Sequence, residues 1–336
     1  MTVETSSPTE TILRFDGRAF INGERVAARD GQTFDCLSPV DGRLLATVAR
    51  GAQADIDAAV AAARAAFDDR RWSGMAPAQR KRIMIKFAEQ VAAAGDELAL
   101  TEILDMGKPL TYAKGVDVNS AANCIRWSGE AVDKVHDEIA PTGPNALALI
   151  TREPVGVVGV IVPWNYPMIM AARKIAPALA AGNSVVLKPS EKSPLTALRL
   201  AELARAAGIP PDVFNVVPGY GPEAGSPLAL HVDVDCIAFT GSTRMGKQIH
   251  VMAGQSNLKR AWTELGGKLP NIVFADCPDL NRAVEVAVGS ISSTRARAVT
   301  RPRASLSRLR SRTPSRRRRS SWCPATSQAT RWTRAR

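Results

Sequence analysis

GVVGVIVPWNYP (Gly156–Pro167) is a continuous apolar run that ends in a polar turn, and the chain then repeats the same grammar. The repeats are NSVVLKPSE (Asn183–Glu191), VFNVVPGYG (Val213–Gly221) and CIAFTGSTRMG (Cys236–Gly246). Each is a short β-branched stretch that breaks into Gly, Pro or Ser. Helix-like sequence follows the first, second and fourth unit, and a short helical stretch fits after the third. Short apolar strands alternating with helices read as βα units on a parallel sheet buried on both faces. The fold class is therefore α/β. Ligands of such sheets sit at the carboxyl ends of the strands. Asn165, Lys188, Glu191 and Ser242 all fall just after those ends, which points to a nucleotide-type site.

The 336 residues suffice for two domains and a sizeable core, and their formal charge is +12. That charge is not spread evenly. Residues 292–336 hold fourteen Arg and no Lys, Asp or Glu. The preceding residues hold 30 basic and 32 acidic groups, a net of −2. The bulk is thus an ordinary, slightly acidic globular chain. The five cysteines (Cys36, Cys124, Cys236, Cys277 and Cys323) are scattered and include no CxxC pair. Neither a disulfide framework nor a zinc site follows, no metal is expected, and a reduced compartment is the simpler assignment. The start, MTVETSSPTE, is polar and acidic without the apolar core of a signal peptide. No apolar run approaches the ~20 residues needed to span a bilayer. The expectation is a cytoplasmic protein with no membrane partner.

Taken in order, residues 1–11 read as a disordered lead. Asn22-Gly23 and Asp41-Gly42 are turn signals within Ala19–Ala49, which predict a small antiparallel ribbon or edge element. Ala54–Arg70, Pro77–Leu104 and about Gly115–Val135 carry helical spacing, with Gly107-Lys108-Pro109 as a stop. Their apolar stripes are core faces. His136–Val155 reads as a protruding hairpin around a Pro/Gly turn, a shape that adds to another sheet or a neighbouring subunit. Ser193-Pro194 fits an N-cap followed by Pro at the first helical position. Arg260–Cys277 reads as strand, Gly-rich turn, strand, and a helix begins at Pro278. From Ser292 onward the periodicity fails, and Arg, Ser, Thr, Pro and Ala dominate. Such a segment buries too little apolar surface to offset its ordering entropy.

The residues at the strand ends permit specific chemistry, each with a plainer alternative. Asn165, fixed between Pro163 and Pro167, can donate to a developing oxyanion, or simply cap its own turn. Glu191 can accept from ribose hydroxyls and Lys188 can reach ribose or phosphate, or the two can be a solvated loop pair. Gly241 to Gly246 sets bare backbone N–H groups at a helix start, where phosphate is favoured. Lys247 follows Gly246, but Gln248 stands where a P-loop needs a hydroxyl for Mg²⁺, and no GxGxxG is present. Glu264, before Leu265-Gly266-Gly267, can serve as a general base for water or be a surface carboxylate at a strand end.

PWNYP, KPSE, FTGST and ELGGK, in this order and at these intervals, resemble the aldehyde dehydrogenase superfamily. The likeness runs from about Phe20 to Ile291 and takes in MGKPL and LALITREPVG. VDKVHDEIAPT and NIVFADCPDL resemble bacterial aminoaldehyde dehydrogenases. The resemblance implies a Rossmann-like parallel sheet with a protruding β-hairpin. It implies a discontinuous NAD-binding domain over 1–134 and 156–267, an oligomerisation hairpin over 135–155, and the beginning of a catalytic domain over 268–291. Residues 292–336 remain a disordered tail. Asn165 would donate to the thiohemiacetal oxyanion, and Glu264 would activate the deacylating water. Lys188 and Glu191 would hold the adenosine ribose, with Glu191 favouring NAD over NADP. Gly241, Ser242 and Gly246 would face the pyrophosphate, and Trp164, Gly221 and Leu265 would complete the cofactor surface. The partners implied are a small aldehyde and further copies of the chain.

The departures decide what this chain can do. The family nucleophile is a Cys in an FFNQGQxC-type stretch downstream of the Glu. Here that stretch reads Ser292-Ser293-Thr294-Arg295-Ala296-Arg297-Ala298-Val299, with Val299 at the Cys position. Cys277 belongs to FADCPDL and is not that Cys. An aldehyde dehydrogenase without turnover and a cofactor-binding remnant are the two main alternatives. Polyanion binding by Arg316–Arg319 and its neighbours is a third, for which only Trp322 and Trp332 offer stacking surfaces. Phe-Phe-Asn-Gln-Gly-Gln written TTC TTC AAC CAG GGC CAG and read one base late gives Ser-Ser-Thr-Arg-Ala-Arg, the sequence of residues 292–297. The hypothesis of a frameshift near codon 291 explains the Arg excess, the lost periodicity and the missing Cys together. Sequencing the DNA past that codon tests it: another frame should encode an NQG…C continuation, and its absence refutes the hypothesis.

Overall fold

The structure, a computed structural model, describes residues 2–5, 11–267, 271–274, 276–292 and 305–307. It forms two compact units, Met1–Gly266 and Gly267–Arg336. In the first unit, β1 (Thr2–Thr5) and β2 (Thr11–Arg14) pair antiparallel, with Thr2 opposite Arg14. This corrects the expected disorder of the lead: both arms are rich in β-branched residues, which favour extended pairing. Next, β3 (Ala19–Ile21) and β4 (Glu24–Val26) form a hairpin. Its two turn residues, Asn22 (φ 56°) and Gly23 (φ 75°), are both left-handed, as a two-residue hairpin turn requires. A separate ribbon follows, β5 (Thr33–Leu37) with β6 (Leu44–Ala49).

Three helices come next: α1 (Gln53–Asp68), α2 (Pro77–Ala93) and α3 (Gly95–Met106). The single helix expected over Pro77–Leu104 is therefore two. The axis changes at Ala94 (φ −82°, ψ 16°). A side chain at Gly95 would crowd Val118 at 3.3 Å. The apolar spacing runs on across the joint, so periodicity could not see it. Gly107, left-handed at φ 77° and ψ 30°, ends α3 as expected. The next helix enters through α4 (Leu110–Tyr112) and a wide turn, Ala113–Val118, before α5 (Asn119–Ala131). Then β7 (Glu138–Ala140) and β8 (Ala148–Ile150) form the hairpin, antiparallel and exposed, with Ile139 at 73 % of its full exposure.

The βα units are β9 (Val157–Ile161), α6 (Pro167–Ala180), β10 (Ser184–Lys188), α7 (Leu195–Ala207) and β11 (Phe214–Val216). A wide turn, Gly221–Gly225, leads into α8 (Ser226–Leu230), followed by β12 (Cys236–Gly241), α9 (Thr243–Gln255) and β13 (Arg260–Leu265). The seven-stranded sheet has the order β13-β12-β9-β10-β11-β3-β4. It is parallel from β13 to β11, and the hairpin β3–β4 adds antiparallel at the β11 edge. Successive side chains feed two cores. Val158, Val160, Val185 and Leu187 face α2, α5, α6 and α7. Val157, Val186, Ile237 and Phe239 face α1, α8 and α9. Gly159 lets α8 close in, because a Cβ there would lie 3.2 Å from Leu228.

The second unit holds β14 (Asn271–Val273), α10 (Leu280–Ser292) and β15 (Ser305–Ser307), with β14 and β15 parallel. Of the tail expected to lack structure, Ser292 and Ser305–Ser307 are thus described in regular elements. The remainder, Val299 included, lies outside the described residues. No described helix is long and apolar enough to cross a membrane.

The start of α7 differs from expectation. Ser193 does not cap it; its hydroxyl donates instead to Trp164 O at 3.0 Å. The cap comes from far away in the chain: Leu195 N donates to Asp105 Oδ2 at 2.9 Å. Burial pushes the Asp105 carboxyl up to about 7, partly offset by hydrogen bonds from Cys36 Sγ and Leu195 N. A carboxyl raised on folding binds more protons in the folded state. Its contribution is fully present below the ordinary value of 3.8 and is lost as pH rises to about 7. Over that window the melting temperature of the wild type is expected to fall more steeply than that of Asp105→Asn. The variant cannot titrate yet still accepts from Leu195. Parallel melting-versus-pH curves for the two proteins would contradict this.

Candidate functional site

The strand order reverses at β9. The chain steps from β9 to β10 and β11 on one side, then crosses to β12 and β13 on the other. The connections leaving β9 and β12 therefore diverge, and a crevice opens at their carboxyl ends, where doubly wound sheets bind ligands.

The expected site residues cluster at this one end of the sheet. Beyond β9, Trp164, buried Asn165 and Tyr166 form the turn into α6, whose first residue is Pro167. Pro at the first helical position is preset for the helix and lacks only an N–H that the helix would not use. Lys188 ends β10 and is buried, with its Nζ 3.8 Å from Glu191 Oε2. Burial pulls the Lys188 ammonium down, and Glu191 offsets part of that. Ser190 Oγ donates to Glu191 Oε2 at 3.4 Å. The same loop meets the β9 turn twice: Ser193 Oγ reaches Trp164 O, and Lys192 Nζ lies 5.8 Å from the centre of the Trp164 ring.

Gly221 begins the wide turn beyond β11, and a Cβ added there would meet nothing within 4 Å. At the far end of that turn, a Cβ on Gly225 would touch the Lys188 stem at 3.7 Å. Gly241 ends β12 and directly precedes Ser242, which caps α9 by accepting from Met245 N at 3.2 Å. Gly246 N donates to Ser242 O at 2.9 Å. By helix geometry the amides of Thr243 and Arg244 have no partner within the helix. The first turn of α9 carries no acidic residue, so its positive end is left for an anion. Gly246 also makes room for Leu265, whose Cδ2 would lie 2.3 Å from a Cβ at that position.

Glu264 is exposed at the end of β13, opposite Thr240 of β12. β12 stands between the strand that carries Glu264 and the strand that leads to Asn165. Burial lowers the pKa of Lys174 on α6, and the Glu264 carboxylate acts against that. Lys174 was not picked out from the sequence. Its only signal was a cation beside Ile175 in the apolar run PMIMAARKIAPALA. Lys108 was read as part of a stop and of the MGKPL stretch, without a role of its own, yet it is buried with Nζ 4.1 Å from the centre of the Tyr166 ring. Among the described residues no group of three His, Cys, Asp or Glu is arranged to hold a metal ion.

A buried cation paired with a carboxylate, an uncrowded glycine turn and a helix start without acid form a set suited to ribose and phosphate. Comparison with known proteins agrees. The sequence profile described as the aldehyde dehydrogenase family matches residues 26–298. The chain belongs to the aldehyde dehydrogenase family. It is 53 % identical over 279 residues to the NADP/NAD-dependent aldehyde dehydrogenase PuuC of Escherichia coli (strain K12), covering 83 % of this chain and 56 % of that protein. It is 50 % identical over 264 residues to an aminoacetaldehyde dehydrogenase of Pseudomonas aeruginosa, covering 79 % of this chain and 53 % of that protein. Among solved structures, gamma-glutamyl-gamma-aminobutyraldehyde dehydrogenase from Burkholderia cenocepacia J2315 superposes with a TM-score of 0.89 at 55 % identity, covering 91 % of this chain and 62 % of that one. A mutant of P. syringae AldA indole-3-acetaldehyde dehydrogenase, in complex with NAD+ and IAA, superposes with a TM-score of 0.88 at 54 % identity, over 90 % and 61 %. The chain thus spans about half the length of the curated relatives it matches.

The cap on α9 yields a direct expectation for this aldehyde dehydrogenase chain. Ser242→Ala removes the acceptor of Met245 N and should cost about 1 kcal/mol of stability. Urea unfolding of both proteins reads it, and an unchanged midpoint would show that Ser242 does not act as a cap.

Proposed function

We propose that this chain is the dinucleotide-binding part of a cytoplasmic aldehyde dehydrogenase, that it takes NAD in preference to NADP, and that it does not itself oxidise aldehydes. The observation that carries the cofactor assignment is the Lys188–Glu191 pair at the crevice, a buried cation with its carboxylate 3.8 Å away. Glu191 accepts from the adenosine ribose hydroxyls, and Lys188 donates to the same sugar. A 2′-phosphate would set its charge against the Glu191 carboxylate, which disfavours NADP. The start of α9, from Gly241 through Ser242 to Gly246, receives the pyrophosphate. Trp164, Gly221 and Leu265 border the cofactor.

For the reaction of the intact family, the bound cofactor supplies a hydride acceptor. Asn165 aims its amide at the oxyanion of the tetrahedral adduct, and Glu264 takes a proton from the hydrolytic water. Both steps presuppose a thiolate attacking the aldehyde carbon. Val299 has no lone pair to offer at that position, so Asn165 and Glu264 have no covalent adduct to act on. The aldehyde of the intact lineage is an aminoaldehyde, a proposal supported by the likeness to the gamma-glutamyl-gamma-aminobutyraldehyde dehydrogenase of Burkholderia cenocepacia and the aminoacetaldehyde dehydrogenase of Pseudomonas aeruginosa. The exposed β7–β8 hairpin, with Ile139 and Leu149 on its surface, is proposed as the surface through which copies associate.

Thermal melting and an NADH assay test this together. Millimolar NAD should raise the melting temperature, NADP should raise it less, and Glu191→Gln should narrow the gap. A ligand at 100 times its Kd stabilises by about 2.7 kcal/mol, well within reach of a melt. NADH formation with a short aminoaldehyde should stay at background. No shift with NAD refutes the cofactor assignment, and turnover above background refutes the inactivity.

A further inference from the structure

Two helical segments and the β9 turn meet at one buried ammonium. Lys108 follows the left-handed Gly107, and its side chain has 0 % exposure. Its Nζ lies 3.4 Å from Glu102 Oε1 on α3 and bonds Asp117 Oδ2 in the wide turn before α5. Glu102 is at 0 % exposure and Asp117 at 1 %. The third neighbour is the Tyr166 ring, with its centre 4.1 Å from Nζ. Enclosing a charge this completely is costly unless its partners are well placed. Burial pushes both the Glu102 and the Asp117 carboxyls up, and the Lys108 ammonium between them acts against that in each. An ammonium has three protons to place. Two carboxylates take part of that capacity, and the electron-rich face of an aromatic ring is a suitable third neighbour.

Tyr166 sits directly after Asn165 in the turn that the site is built on. Trp164, on the other side of Asn165, is tied through its carbonyl to Ser193 of the loop carrying Lys188 and Glu191. The turn is therefore pinned at both ends, by Ser193 and by Lys108.

We propose that Lys108 is a positioning residue for the Trp164–Asn165–Tyr166 turn: held by Glu102 and Asp117, it fixes the Tyr166 ring and thereby the direction of the Asn165 amide and the seat of the ribose loop. The consequence for cofactor rests on the NAD assignment above; the consequence for the turn does not. Lys108 touches neither ribose nor aldehyde and acts only through Tyr166.

The test uses the full 336-residue chain and reads amide hydrogen exchange of a peptide covering residues 162–168 together with NAD affinity by titration. Tyr166→Leu removes the ring face, and Tyr166→Phe keeps it. Lys108→Met combined with Asp117→Asn removes the cation together with the carboxylate it bonds most closely. The expected result is exchange about tenfold faster over 162–168 in Tyr166→Leu and in Lys108→Met/Asp117→Asn, with α1 unaffected and Tyr166→Phe like wild type. NAD affinity should fall in the same two variants. Adding Tyr166→Leu to the Lys108 variant should change the exchange no further, because both remove one contact. Wild-type exchange over 162–168 in Tyr166→Leu overturns the proposal. So does faster exchange spread evenly over the chain, and so do additive effects of the two changes. If the Lys108 variant does not fold, the Tyr166 pair still decides. If the wild type binds no NAD, the cofactor assignment fails while the exchange comparison still judges Lys108.

Discussion

β9 is paired in register with β10 on one side and β12 on the other, and Val157 to Val160 are buried on both faces. A strand so enclosed has no water to satisfy its backbone, so every polar group must be paired or displaced to an end. The amino end shows how this is met. Asn183 Oδ1 accepts from Val155 N and Gly156 N at 2.7 and 3.0 Å, and Asp235 Oδ2 accepts from Val157 N at 2.7 Å. Gly156, at φ 128°, is required there, since a Cβ would fall 1.9 Å from Asp235 Oδ2. At the carboxyl end the chain departs through Pro163, Trp164 and Asn165 instead. The connections leaving β9 and β12 run in opposite directions, and the crevice between them is the place where polar side chains and helix ends meet solvent.

Two lysines buried near this crevice differ in how they are enclosed. Among the described residues Lys188 has a single carboxylate partner, Glu191, which is 30 % exposed and separated from it by 3.8 Å. The pairing is loose, and its carboxylate side is open to solvent. Lys108 is enclosed by two carboxylates and a ring, with nothing open to solvent. An ammonium held that way serves as an anchor for the chain around it. The difference comes from tertiary enclosure, since both lysines are followed directly by proline, Pro189 and Pro109.

The strands, their order along the chain and the grouping of Trp164, Asn165, Lys188, Glu191, Gly221, Ser242, Gly246, Glu264 and Leu265 at one end of the sheet were legible from the sequence. Each strand is a short β-branched run with Gly, Pro or Ser behind it, and the parallel pairing dictates which end the polar residues share. The turns at Asn22-Gly23 and Gly107 were legible too, because their backbone demands a residue at ease with positive φ. The joint at Ala94 was hidden, since the same apolar face continues across it. The cap on α7 was misassigned to Ser193 because a local hydroxyl looks like a cap, whereas the acceptor is Asp105, distant in the chain.

What the sequence determined alone was therefore local and periodic: fold class, strand identity, the family, and the residue types at the strand ends. What only the tertiary structure decided was the strand order that makes β9 the reversal point. It also decided the long-range partners that bury Lys108 and Asp105 and that set Glu264 against the half-buried Lys174. A side chain's periodicity reports which face it occupies, but the cost of burying its charge depends on which segments fold against that face. Those segments come from remote parts of the chain, and no spacing within one helix or strand encodes them.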